Sequence, residues 1–227
     1  MHPDTMRLID RWVGIPLCFF ASFWPLKKAQ ADSNSTLATN IPPPDTIVFI
    51  LIAEIGALVV AYPAIKETRK QHPKSRICFI TAPAGLQTLE LMGFEKEDIF
   101  LLETSSIKSL LKGIVNIRSH FKGKRVSAIV LEPFTRFSTL LSAWIGASKR
   151  IGCYRFLNEG VYLGNILTHR LVYNPHLHMS QTYFALAKAL IEPDSAKPLL
   201  KEYIPSQIKN RLKINIPEKE RQTLMKR

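Results

Sequence analysis

Continuous apolar runs alternate with amphipathic stretches along the middle of the chain. "TIVFILIA", 46–53, has no polar residue from Ile47 to Ala53, the pattern of a strand buried on both faces, and Gly56 to His72 then spaces its apolar residues as a helix face. "SRICFIT", "DIFLLE" and "RVSAIVLE" repeat the strand signal, and helical patterns lie at Ala84 to Met92, Ser106 to Phe121 and Thr135 to Ile145. Strand and helix alternating over short connections predict an α/β domain that starts near Thr46, with a parallel sheet covered by helices on both faces. After Arg150 the pattern weakens into short strand-like pieces and an "NEG" turn, and only Met179 to Ile191 again reads as a helix.

Both flanks differ from this middle. Trp12 to Leu26 is apolar but interrupted by Gly14, Pro16 and Pro25, with Arg7 and Arg11 before it and Lys27 and Lys28 after. A helix needs about 20 apolar residues to span a bilayer. This shorter run, with Trp12 and Trp24 near its ends and cations on both sides, is expected to lie in the interface of an anionic leaflet. A signal peptide ending at "AQA", 29–31, and a helix packed on the domain are the competing readings. A polar, proline-marked linker follows, and Pro193 to Arg227 is proline-punctuated and rich in Lys and Arg.

Composition narrows the partner. The 227 residues are 46% hydrophobic, enough for a real core, and 31 Lys+Arg against 18 Asp+Glu give a net charge of +13. Such a balance favours an anionic partner: nucleic acid, a phosphorylated substrate or an acidic membrane face. Basic residues are not interleaved with aromatics as a stacking platform for nucleic acid requires. Cys18, Cys78 and Cys153 lie far apart in apolar runs, without metal or redox spacing, and read as reduced core residues.

Candidate chemistry collects where strands end. Glu54 follows the first strand in "AEIGAL", which has one glycine and an acid where a phosphate cradle would have several glycines. A carboxylate there could take a proton from a hydroxyl, or could simply favour a helix N-terminus. Glu132, Thr135 and Arg136 cluster after the fourth strand, where Arg136 could hold a phosphate or carboxylate. His169, His176 and His178 lack a third ligand at zinc spacing and read as hydrogen-bonding groups at loop and helix ends.

These segments together resemble glycosyltransferase family 9, the ADP-heptose:lipopolysaccharide heptosyltransferases. The shared features are "IVFILIAEIGALVVAYPAI", "GASKRIG" at Gly146 to Gly152, and "THRLVYNPHLHMSQTYFALAKAL", so the resemblance covers about Thr46 to Ile191. It implies a GT-B fold of two Rossmann-like domains facing a cleft, the first holding the acceptor and the second a nucleotide-sugar donor such as ADP-heptose. The implied reaction is inverting transfer without an essential metal or cofactor: a base deprotonates an acceptor hydroxyl, which attacks the anomeric carbon as the diphosphate leaves. In many members the base is an Asp directly after the turn glycine; that position is Ala57 here, which leaves Glu54 as the candidate base. Gly56, Glu132, Thr135, Arg136 and His178 are the candidate acceptor-binding residues, and an Arg expected early in the last helix falls on Thr182.

The expected layout is a membrane-interface segment at 1–30, a linker at 31–45, an acceptor-side Rossmann-like domain at 46–195 and a basic tail at 196–227 leading to an absent donor domain. The resemblance implies a cytoplasmic protein peripherally associated with the inner membrane, working in lipopolysaccharide or surface-glycan assembly. Its expected partners are a lipid-linked anionic glycan acceptor, the inner face of the cytoplasmic membrane and a separate donor-binding domain, with no nucleic acid. The alternative is a non-catalytic, membrane-apposed binding module for an anionic glycolipid.

Overall fold

The computed structural model describes residues 10–23, 43–156 and 161–192. Six strands, β1 (Thr46–Ile50), β2 (Arg76–Thr81), β3 (Ile99–Leu101), β4 (Val126–Val130), β5 (Lys149–Phe156) and β6 (His169–Tyr173), form one sheet in the order β3-β2-β1-β4-β5-β6. Every adjacent pair is parallel. The chain builds outward from β1 to β3, then crosses back to lay β4 on the other side of β1. The order therefore reverses between β1 and β4, which in open α/β sheets opens a crevice beyond the carboxyl ends of those two strands.

β1 and β4 are buried along their whole length, because alternate residues of each strand feed two separate cores. Ile47, Phe49 and Ile129 face α2 (Ile55–Gln71), α3 (Leu86–Leu91) and α6 (Met179–Lys188). Val48, Ile50, Ala128 and Val130 face α4 (Ile107–Phe121) and α5 (Arg136–Trp144). A helix layer on each side is what continuous apolar strands demand, since neither face can be left in water. The result is a doubly wound, Rossmann-like parallel sheet.

One feature departs from the expectations, and a second bears on the competing readings of the N-terminal run. First, 149–173 is not a loose set of pieces but the two outer strands β5 and β6. Their periodicity is hidden because buried positions hold polar side chains. Lys149, 8% exposed, donates to the carbonyls of Leu190 (2.8 Å) and Glu192 (3.1 Å). Arg150, 1% exposed, donates through Nε to the Ile166 carbonyl at 2.6 Å and through Nη1 to that of Ala147. Fully buried His169 lies 2.8 Å from Thr168 Oγ1 and 2.9 Å from the Glu192 carbonyl.

Second, the apolar run near the N-terminus forms a π-helical turn, Asp10–Gly14, leading into α1 (Ile15–Phe23), which packs against α5. Cys18 is fully buried there. Ser22 Oγ donates to the Cys18 carbonyl at 2.7 Å and accepts from the Asn165 amide at 3.0 Å. Gly164 has φ +58°, and a Cβ at that position would come within 2.0 Å of Ser22 Oγ, so only glycine permits the contact. Parallel strands need a crossover, usually a helix. Between β5 and β6 the described residues 161–168 contain none, and α1 lies against them instead. Among the described residues no helix is long and apolar enough to cross a membrane. The remainder of the expected interface segment (1–9 and 24–30), linker residues 31–42 and the basic tail at 196–227 lie outside the described residues.

Candidate functional site

The crevice between β1 and β4 is closed from below by one carboxylate. Glu132, two residues past the end of β4 and 8% exposed, accepts through Oε1 from the backbone amides of Ile52 (2.8 Å) and Ala53 (2.6 Å) just past β1. Its Oε2 accepts from the Ser138 hydroxyl on α5. Both oxygens are thus committed to joining the β1 turn, the β4 turn and α5, which gives Glu132 a positioning role at the floor of the crevice. The chain above it is tightly folded: Phe134 adopts φ 60°, uncommon for a bulky residue, and its ring meets Tyr173 edge-on at 5.4 Å. Backbone strain of this kind costs of order 1–3 kcal/mol and persists only where surrounding contacts fix it.

The β1 turn presents the other face of the crevice. Glu54 occupies the N-cap of α2 with extended backbone (φ −123°, ψ 102°), is exposed, and makes no side-chain capping bond. Its carboxylate therefore stands near the positive end of a 17-residue helix without closing over it. Gly56, in the first turn, is also exposed, and a Cβ added there would meet nothing within 4 Å. The absence of a side chain there leaves room for an incoming group to approach the backbone closely.

Tyr183 on α6, 1% exposed, joins this cluster and gave no signal in the sequence beyond an apolar helix stripe. Burial raises the pKa of its hydroxyl, and the charges of Glu54 and, less strongly, Cys153 and Glu132 raise it further, so the hydroxyl stays protonated. Its neighbour Thr182 is 6% exposed and its buried hydroxyl has no partner.

The remaining expected residues separate from Glu54 to different degrees. Thr135 is the N-cap of α5, half-buried, with its hydroxyl 3.4 Å from the Pro133 carbonyl. Arg136, 8% exposed, directs Nε to the Tyr162 carbonyl at 3.2 Å and thereby ties the connection after β5 to α5. His178 caps α6: its Nδ1 accepts from the Ser180 amide at 3.2 Å, while Gln181 Oε1 accepts from its backbone amide at 3.0 Å. His178 is exposed at the same sheet edge, but follows β6, two strands beyond β4. Among the described residues no group of His, Cys, Asp and Glu is arranged to hold a metal ion.

Chemically, the arrangement offers an exposed carboxylate able to accept a proton, an unobstructed helix N-terminus able to meet an anionic group, and a buried tyrosine able to donate.

No protein-family model matches the chain, and no curated protein matches it. Solved structures do. A glycosyltransferase family 9 protein from Veillonella parvula superposes with a TM-score of 0.54 at 16% identity, over 82% of this chain and 49% of that one. The E. coli heptosyltransferase WaaC, solved with ADP-2-deoxy-2-fluoro heptose, superposes with a TM-score of 0.51 at 10% identity, over 67% of this chain and 50% of that one. The chain spans about half the length of each. At these identities the likeness is one of fold: the chain folds as a parallel, Rossmann-like α/β sheet resembling the N-terminal domain of a GT-B protein, distantly related in structure to the heptosyltransferase-like glycosyltransferases.

Proposed function

We propose that the chain is the acceptor-side part of a GT-B-type glycosyltransferase acting on a lipid-linked anionic glycan at the inner face of the cytoplasmic membrane. The observation that carries this reading is the uncapped, exposed start of α2 at the β1–β4 crevice, where Glu54 stands beside a glycine with open space above it. Glu54 would take the proton of an acceptor hydroxyl, and that oxygen would bond to the anomeric carbon of the sugar. The carbon's bond to the nucleoside diphosphate breaks as this one forms, the leaving oxygen keeping the electron pair, and configuration inverts. Donor binding belongs to a second domain or chain, as in the two-domain cleft that the resemblance implies. An anionic acceptor suits the net charge of +13 and the α2 N-terminus.

Calorimetric titration with a phosphorylated lipid A-core oligosaccharide is the direct test. Binding is expected, with Glu54→Gln leaving affinity nearly unchanged while abolishing turnover in the presence of a donor-binding partner and ADP-heptose. Absence of acceptor binding would sink the reading, and efficient transfer by the 227-residue chain alone would show that no second part is needed. A non-catalytic glycolipid-binding module is the second reading, favoured by Ala57 at the position where many members of the family carry an Asp. Turnover that survives Glu54→Gln would remove Glu54 from the chemistry altogether.

A further inference from the structure

We propose that the outer surface of the helix layer made by α4, α5 and α1 docks on an anionic membrane surface. The inner side of α4 is accounted for: Ile117 and Phe121, with the partly buried Leu110 and Ile114, pack on the sheet. Along its outer side, however, Ile107, Leu111 and Val115 recur every four residues and are 59%, 57% and 56% exposed. A helix on the surface of a soluble monomer ordinarily places polar residues there. α1 repeats the situation next to α5, burying Cys18 while Trp12, Phe20 and Phe23 are 71%, 68% and 73% exposed. Trp144, 48% exposed, closes α5, with the Arg118 guanidinium of α4 5.1 Å from its ring.

Charge identifies the occupant. α4 contains Lys108, Lys112 and Arg118 and no acidic residue; Lys122 and Lys124 follow it, and 12–23 carries no charge. Lysines bordering an aliphatic stripe can lay their stems along it and lift their ammonium groups to headgroup phosphates, while tryptophan and phenylalanine settle at the interface. Protein interfaces, by contrast, are depleted in lysine. Because no described helix can cross a bilayer, the contact lies on the surface. The proposal rests on this surface alone, so it stands or falls apart from the transferase reading.

The test is sedimentation of the full chain with vesicles of phosphatidylcholine, alone or mixed with phosphatidylglycerol. The chain should bind the anionic vesicles and be released by salt. Leu111→Ser/Val115→Ser and Lys108→Glu/Lys112→Glu should each lower partitioning by about tenfold or more. These side chains are exposed, and circular dichroism checks that the fold is kept. In a Trp12→Phe/Trp24→Phe background, Trp144 is the last of the three tryptophans, and brominated lipid should quench it. Unchanged partitioning in both α4 variants, or an unquenched Trp144, would overturn the proposal. So would failure of the wild-type chain to bind anionic vesicles, the result expected if residues 193–227 or a second copy covers the face. Acceptor binding without vesicle binding would reject this surface and leave the transferase reading standing; vesicle binding without acceptor binding would do the reverse.

Discussion

Glu132 accepts three hydrogen bonds from groups that have lost water, two of them backbone amides about 80 residues away in sequence. Truncating it to Ala strands these donors, so Glu132→Ala should cost about 2–4 kcal/mol in urea unfolding, with Glu132→Gln costing less because one carbonyl oxygen remains. Gly56 makes an opposite case. Nothing lies within 4 Å of an added Cβ, so Gly56→Ala should leave the fold as stable or gain up to about 1 kcal/mol through helix propensity. If an acceptor approaches the backbone there, the same variant loses acceptor affinity, a combination that a purely structural glycine would not give. The sequence made Glu54, Glu132, Thr135 and Arg136 visible as polar residues at strand ends, since that position follows from strand and helix order. It could not show that Glu132 and Arg136 turn their charged ends to the protein itself, because their partners include backbone atoms of distant segments. Tyr183 was invisible for the converse reason: a buried tyrosine has the same spacing as any apolar residue in a helix stripe.

β1 to β4 and the helices between them were legible because each strand is apolar on both faces and each helix on one. β5 and β6 were not, since Lys149, Arg150 and His169 are buried polar residues whose hydrogen bonds are met by main-chain carbonyls. A pattern of hydrophobicity cannot register a cation solvated by main-chain carbonyls in this way. α1 was legible as an apolar segment, but its place against the β5–β6 connection depends on Gly164, which looks like any loop glycine. Gly164→Ala should force Ser22 aside and loosen α1. The readout is Cys18, fully buried under that helix: its labelling by a thiol reagent should quicken by about tenfold or more through local opening, while Cys78 and Cys153 remain protected. Equal quickening at all three would mean global unfolding instead.

Across the whole molecule, burial of two thiols sets an alkaline limit. Burial raises Cys153, and burial together with the nearby Asp98 charge raises Cys78, each from 9.0 to about 12. Below the unfolded value of 9.0 neither state ionises and stability is unaffected. Above it only the unfolded chain gains thiolate, so stability should fall as pH rises towards 12, by about 1.4 kcal/mol per unit for each thiol. Stability from urea unfolding should hardly change up to about pH 8 and then fall with a slope that approaches this value by about pH 10, and Cys153→Ala should remove roughly half of the fall; a fall untouched by that change would assign the alkaline loss to other groups. The sheet order belongs to the same level: strand–helix alternation foretold a parallel sheet, and the reversal between β1 and β4 emerged only from pairing. Finally, the hydrogen bond from Asn165 to Ser22 joins residues 143 apart. At about 5–20 residues per second, a ribosome finishes the dock for α1 about 7–30 s after making α1 itself. Over that interval the nascent chain carries an uncovered apolar helix, so order of synthesis alone gives a chaperone or a bilayer the first claim on the segment, and the folded domain the second.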